Sequence, residues 1–207
     1  VAVPTLLESE AGVNDLLERL EIHYLANRER QNLHFALLTD FADAPQESLP
    51  SDAALLKLAS EGVEALNEKY KDERTDAFFL FHRPRLWNPR ERKWMGYERK
   101  RGKLAALNAF LRDGRTDAFS AVVGDTSALS NTQYVITLDT DTRLLMDSAR
   151  SLVETMAHPL NHPQYDPRKG RVTAGHGILQ PRVETGIDSG GRSLFARLFS
   201  GETGIDI

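Results

Sequence analysis

Along the 207 residues, short continuous apolar runs alternate with stretches whose apolar residues recur at helical spacing. Val1 to Val3 reads as a buried strand ended by Pro4, because proline cannot donate to a ladder. Val13, Leu16, Leu17, Leu20 and Tyr24 fall on one helical face. Leu33 to Leu38 is a second strand closed by Thr39-Asp40, and Ser51 is placed to N-cap a helix carrying Leu55, Leu58, Leu66 and Tyr70. Ala77 to Phe81 is a third strand. Pro84 and Pro89 then predict a loop, followed by a helix bearing Leu104, Leu107 and Leu111. Tyr134 to Leu138, apolar and β-branched up to Asp139, is the strongest strand signal. A helix with Leu152, Val153 and Met156 starts at Asp147 and is stopped by His158-Pro159. Val172 to Leu179 is a glycine-interrupted fifth strand, and Leu194 to Phe199 is a short helix. Such alternation predicts an α/β, Rossmann-like fold, with a mainly parallel sheet and helices on both faces.

Ligands of such sheets gather at the carboxyl ends of the strands, which marks Thr5, Asp40, His82 and the pair Asp139/Asp141 as candidate functional residues. No Gly-x-Gly-x-x-Gly follows a strand and no Gly-x-x-x-x-Gly-Lys-Ser/Thr occurs, so the usual phosphate loops are absent. The length suits one α/β domain. The chain begins without Met and stops at Gly204-Ile205-Asp206-Ile207 with no closing element, which reads as an excerpt, incomplete at its C-terminus, of a longer protein.

Composition adds exclusions. Without cysteine there is no disulfide framework, thiolate zinc site or thiol nucleophile. The six histidines show no His-Glu-x-x-His motif, and no Gly-x-Ser-x-Gly is present; His23 and His34 read as structural. The net charge of −4 hides an uneven distribution: His82 to Lys103 holds nine Lys/Arg and two acids, a local +7 against −11 elsewhere. Arg99-Lys100-Arg101-Gly102-Lys103 opens a helix, where backbone N–H groups and side-chain cations suit a diphosphate. A solvated surface and anionic lipid headgroups are competing readings of the same residues. Nucleic acid is disfavoured by the acidity of the remainder.

Asp139-Thr140-Asp141-Thr142 puts two carboxylates where a buried strand surfaces. A pair this close repels unless a cation accompanies it, and hard oxygen ligands select Mg²⁺ or Mn²⁺. A strand-end Asp that merely caps a turn is the plain alternative. Metal-dependent nucleotide-sugar transferases use such a pair to hold a cation against the donor diphosphate. Haloacid-dehalogenase-like phosphatases use Asp-x-Asp-x-Thr as nucleophile and acid/base. The phosphatase motif normally ends a first strand and is followed by further acids; here it comes fourth, with 66 residues after Asp141 and no adjacent acidic pair among them.

Taken with Val3-Pro4-Thr5-Leu6, Leu33 to Asp40, Phe81-His82-Arg83-Pro84-Arg85, Trp94 to Asn108, Gly177-Ile178-Leu179-Gln180-Pro181 and Phe195 to Phe199, the Asp139 motif resembles the glycosyltransferase region of bacterial cyclic β-1,2-glucan synthases. More distantly the plan is similar to cellulose-synthase-like transferases of the GT-A fold. The resemblance covers nearly the whole chain. It implies that residues 1–207 are the nucleotide-sugar-binding part of an inverting, UDP-glucose-dependent transferase that extends a glucan acceptor, at the cytoplasmic face of the bacterial inner membrane within a larger membrane protein. It further implies that Thr5 and Asp40 hold the uridine, Lys103 with Arg101 the diphosphate, Asp139 the donor sugar, and Asp141 with Asp139 the metal. The catalytic base is expected beyond this chain; Asp188 and Asp206 have nothing to distinguish them. A further possibility is that the chain alone binds a nucleotide sugar and transfers nothing.

Overall fold

The computed structural model describes residues 1–27, 32–73 and 76–181. Two compact units divide at residue 153. In the first, β1 (Ala2–Leu7), α1 (Glu10–Ala26), β2 (Phe35–Phe41), α2 (Asp52–Lys69), β3 (Phe78–Arg83), the hairpin β4 (Leu86–Asn88) and β5 (Lys93–Met95), α3 (Arg99–Asp113) and β6 (Ala121–Val123) follow one another, before α4 (Ser148–Ala157) crosses the division. The main sheet has the order β1-β2-β3-β6; β1, β2 and β3 are parallel and β6 runs antiparallel to β3. The α/β class and the mainly parallel sheet expected from the sequence are what the structure shows.

Strand alternation distributes two cores. Phe35, Leu37, Phe78 and Leu80 meet Val13, Leu16 and Leu20 of α1 and Leu55, Ala59 and Val63 of α2 on one face. Ala36, Leu38, Phe79 and Phe81 meet Leu107 of α3 on the other. β3 is buried at every position because β2 and β6 flank it and helices cover both faces, which is why it reads as an uninterrupted apolar run. Ser9 caps α1 by accepting the Gly12 N–H at 3.1 Å. Ser51 does not cap α2: its backbone is already helical and its side chain makes no cap bond, while the neighbouring Asp52 Oδ2 accepts the Leu49 N–H at 2.7 Å.

Four further expectations need correction. Pro4 does not end β1, which continues to Leu7. The Pro84–Pro89 region is not all loop but holds the β4–β5 hairpin, whose strands of three residues are too short to show periodicity. Val172 to Leu179 is not a strand of the main sheet: β8 (Arg171–Ala174) pairs antiparallel with β7 (Gln164–Asp166) inside the second unit and stops at Gly175, whose φ of 72° leaves the extended region.

The last correction concerns the site. Tyr134 to Leu138 makes a single parallel bridge, Ala2 to Thr137, through Ala2 N–H to Ile136 O at 2.7 Å and Leu138 N–H to Ala2 O at 3.0 Å. In a parallel ladder the next bond on that side would run from the residue-4 N–H to Leu138 O, and Pro4 has no N–H to give. The pairing stops there and the chain leaves the sheet immediately before Asp139. Leu194 to Phe199, Asp188 and Asp206 lie outside the described residues. Among the described residues, no helix is long and apolar enough to cross a membrane.

Candidate functional site

Parallel register sets Thr5, Thr39 and His82 in one row across the sheet, and Leu6, Asp40 and Arg83 in the next. Alternation sends Asp40 and Arg83 to the α3 face. Asp40 is 1% exposed and ion-paired twice: Arg83 donates Nε to Oδ1 and Nη2 to Oδ2, each at 2.9 Å, and Lys103 Nζ lies 3.2 Å from Oδ2. Lys103, 4% exposed, also donates to the Thr5 carbonyl at 2.5 Å. Burial pushes its pKa below the usual lysine value despite Asp40. The cluster therefore holds two cations against one anion.

Two glycines make this approach possible. A Cβ on Gly96 would fall 2.1 Å from Asp40 Oδ2, and one on Gly102 would fall 1.9 Å from Tyr97 O and 2.7 Å from Arg83 Nη1. The chain enters α3 through Glu98 and Arg99, both left-handed with φ of 52° and 47°, a conformation costing non-glycine residues on the order of 1 kcal/mol each. It is held there by Arg83 Nη2, which donates to Arg99 O at 3.2 Å, and by ion pairs of Arg99 with Asp43 and Glu91.

His82 lies on the opposite face of β3, fully buried, with Nδ1 2.8 Å from Thr39 Oγ1 and Nε2 without a partner. Desolvation lowers its pKa to about 4 against the pull of Asp40 and Asp52; it is a neutral ring at physiological pH. Behind it Arg85 is buried and bonded to Asp52 through both Nη1 and Nη2.

Asp139 and Asp141 sit in a turn rather than on a strand: Thr142 N–H donates to Asp139 O at 3.0 Å, and Arg19 Nη1 donates to Thr140 O at 3.1 Å. Strand alternation therefore does not orient the two acids. Both carboxylates are exposed, and Asp139 is ion-paired with Lys100. Among the described residues, no group of three or more His, Asp or Glu gathers as a ready-made metal cage. Two solvent-facing carboxylates, one already accepting a cation, fit an ion that completes its shell with substrate phosphates and water, as Mg²⁺ commonly does. Arg101 is 83% exposed in its side chain and pairs with Glu98 at 3.3 Å.

Of the residues marked from sequence, the structure brings Thr5, Asp40 and Lys103 into one buried cluster and links Asp139 to the same first turn of α3 through Lys100. It keeps His82 on the other face and Arg101 at the surface. Arg83 was missed. Its signal was available: a buried strand-end acid needs a cation, and Arg83 is the basic residue in register with Asp40. Arg83, Arg85, Arg99, Lys100 and Lys103 all find carboxylates outside the +7 segment, at Asp40, Asp52, Asp43 and Asp139, which matches part of its charge to the acidic remainder.

These features define an α/β domain with charged residues collected at the carboxyl ends of parallel strands, the place where sheets of this class take ligands. No family model matches the chain. Over all 207 residues it is 42% identical to a region of the cyclic beta-(1,2)-glucan synthase NdvB of Rhizobium meliloti (strain 1021), of which it spans 7%. The resemblance to a region of such a synthase thus holds along the whole chain.

Proposed function

We propose that the chain is the nucleotide-sugar-binding part of a glycosyltransferase that takes part in β-glucan synthesis, using UDP-glucose with Mg²⁺ or Mn²⁺ and inverting the anomeric centre. The observation that carries the reading is the convergence on α3's first turn: Lys103 in the buried cluster and Lys100 on Asp139, at the carboxyl ends of β1 and β2. The 42% identity to a glucan synthase supports the same class.

In this reading the excess cation of the Asp40–Arg83–Lys103 cluster faces the donor diphosphate, with Arg101 at its exposed side. Thr5 and Asp40 form the uridine end, Asp40 by holding the two cations in place. Asp139 and Asp141 would hold the metal, Asp139 also facing the donor sugar; a bound divalent ion supplies charge neutralisation of the leaving diphosphate. The glucan acceptor, the catalytic base and the other domains belong to the rest of a larger membrane protein, with this part at the cytoplasmic face of the bacterial inner membrane.

Calorimetric titration with UDP-glucose in the presence and absence of Mn²⁺ tests this. Metal-dependent binding lost in Asp141→Ala is the expected result. No binding, or equal binding to Asp141→Ala, rejects it. Release of phosphate from a small phosphomonoester that vanishes in Asp139→Asn would instead establish the phosphatase reading.

A further inference from the structure

Lys100 has no role in the set of donor ligands above, yet it is the side chain that occupies Asp139. Both backbones that carry this pair are fixed. On the helix side, Lys103 three residues on is buried against Asp40 and Thr5, and Arg99 O is held by Arg83. On the other side, Leu138 N–H is bonded to Ala2, Thr140 O to Arg19, and Thr142 N–H closes the turn on Asp139 O. Only the two side chains are free to change partner, and both are about half exposed, at 51% and 61%, so water can replace either one cheaply.

We propose that Lys100 is a stand-in cation: it neutralises Asp139 while the site is empty, yields that carboxylate to the divalent ion, and turns its ammonium to the phosphates that arrive with it. The inference rests on the metal reading of Asp139 and Asp141. The chemistry matches at each step. Without a cation the two neighbouring carboxylates repel, and Lys100 relieves this with a single charge. A divalent ion brings two charges and displaces it. An ammonium with three N–H donors is a flexible point-charge ligand for a phosphate oxygen. Metal alone must therefore compete with Lys100, whereas metal with nucleotide gives Lys100 a new partner. The two bind with positive coupling that passes through this residue.

The test measures free Mn²⁺ by electron paramagnetic resonance, titrating the full 207-residue chain with and without saturating UDP, in the unmodified protein and in Lys100→Met, Lys100→Arg, Arg101→Gln and Asp141→Ala. Lys100→Met is expected to bind Mn²⁺ alone up to about fivefold more tightly, the scale of an exposed ion pair, and to lose most of the enhancement that UDP gives. Lys100→Arg should stay near the unmodified protein. Arg101→Gln removes one charge from the same turn and should show the smaller, non-specific gain. If Lys100→Met gains no more than Arg101→Gln while Mn²⁺ binding still needs Asp141, the inference falls and the metal reading stands. If Mn²⁺ binds equally to Asp141→Ala, or to none of the proteins, the metal reading falls and takes the inference with it.

Discussion

Replacing Lys103 by Met separates a cation kept for a ligand from one kept for the fold. Lys103 is a buried second cation on one carboxylate. Its desolvation costs several kcal/mol, offset by attraction to Asp40 and by the bond to Thr5 O, the latter contributing roughly 1–3 kcal/mol. Met keeps the volume and the apolar stem and leaves Asp40–Arg83 as a neutral, doubly hydrogen-bonded pair. The opposing terms nearly cancel, so Lys103→Met should lie within about 1 kcal/mol of the unmodified protein. Asp40→Asn, by contrast, strands two buried cations and should cost about 3–5 kcal/mol. Urea unfolding followed by tryptophan fluorescence suits the comparison, because both tryptophans, Trp87 and Trp94, lie in the β4–β5 hairpin of the first unit. With a slope of about 2 kcal/mol/M, Asp40→Asn shifts the midpoint by about 2 M and Lys103→Met by less than about 0.5 M. UDP binding should be lost in Lys103→Met although its stability is intact. A Lys103→Met variant as unstable as Asp40→Asn would refute the reasoning and make Lys103 a structural residue.

Other expectations follow from the same geometry. His82 is neutral in the fold, with its pKa lowered to about 4; its contribution is complete above the unfolded value near 6.5 and is lost as pH falls from there through 4, about 3 kcal/mol in all. His82→Phe should flatten that limb of a stability–pH profile, and an unchanged limb would assign it to other groups. Gly102→Ala must move the first turn of α3 off Tyr97 O and Arg83, which should cost more than about 2 kcal/mol in a urea midpoint and weaken nucleotide binding. Pro4→Ala supplies the missing N–H, so hydrogen exchange should show new protection at residue 4 and at Thr140, and drawing Asp139 toward the sheet should weaken Mn²⁺ binding; unprotected amides would remove Pro4 as the reason the pairing stops.

Where burial is two-sided, local pattern revealed the element: β2 and β3 are apolar throughout because both faces are covered, and α1, α2 and α3 carry their apolar residues at helical spacing. Pattern failed where pairing depends on a distant residue. Tyr134 to Leu138 has a strand's composition, but Pro4, far away in sequence, ends its pairing after one bridge. β6 and the hairpin are three residues per strand, below the length at which alternation shows. Acidic residues at strand ends were visible as candidates, and strand register points from Asp40 to Arg83, yet nothing local says that Gly96 also covers Asp40, or that Lys100 rather than Lys103 reaches Asp139.

The central claim is that a metal-bound donor meets the first turn of α3 and the Asp139–Thr142 turn together. Paramagnetic broadening of backbone amide resonances by Mn²⁺ with UDP-glucose locates that meeting directly. Broadening strongest at residues 99–103 and 139–142, and absent in Asp141→Ala, is the predicted result. Broadening centred elsewhere, at β7–β8 for instance, or none at saturating donor, would contradict the account.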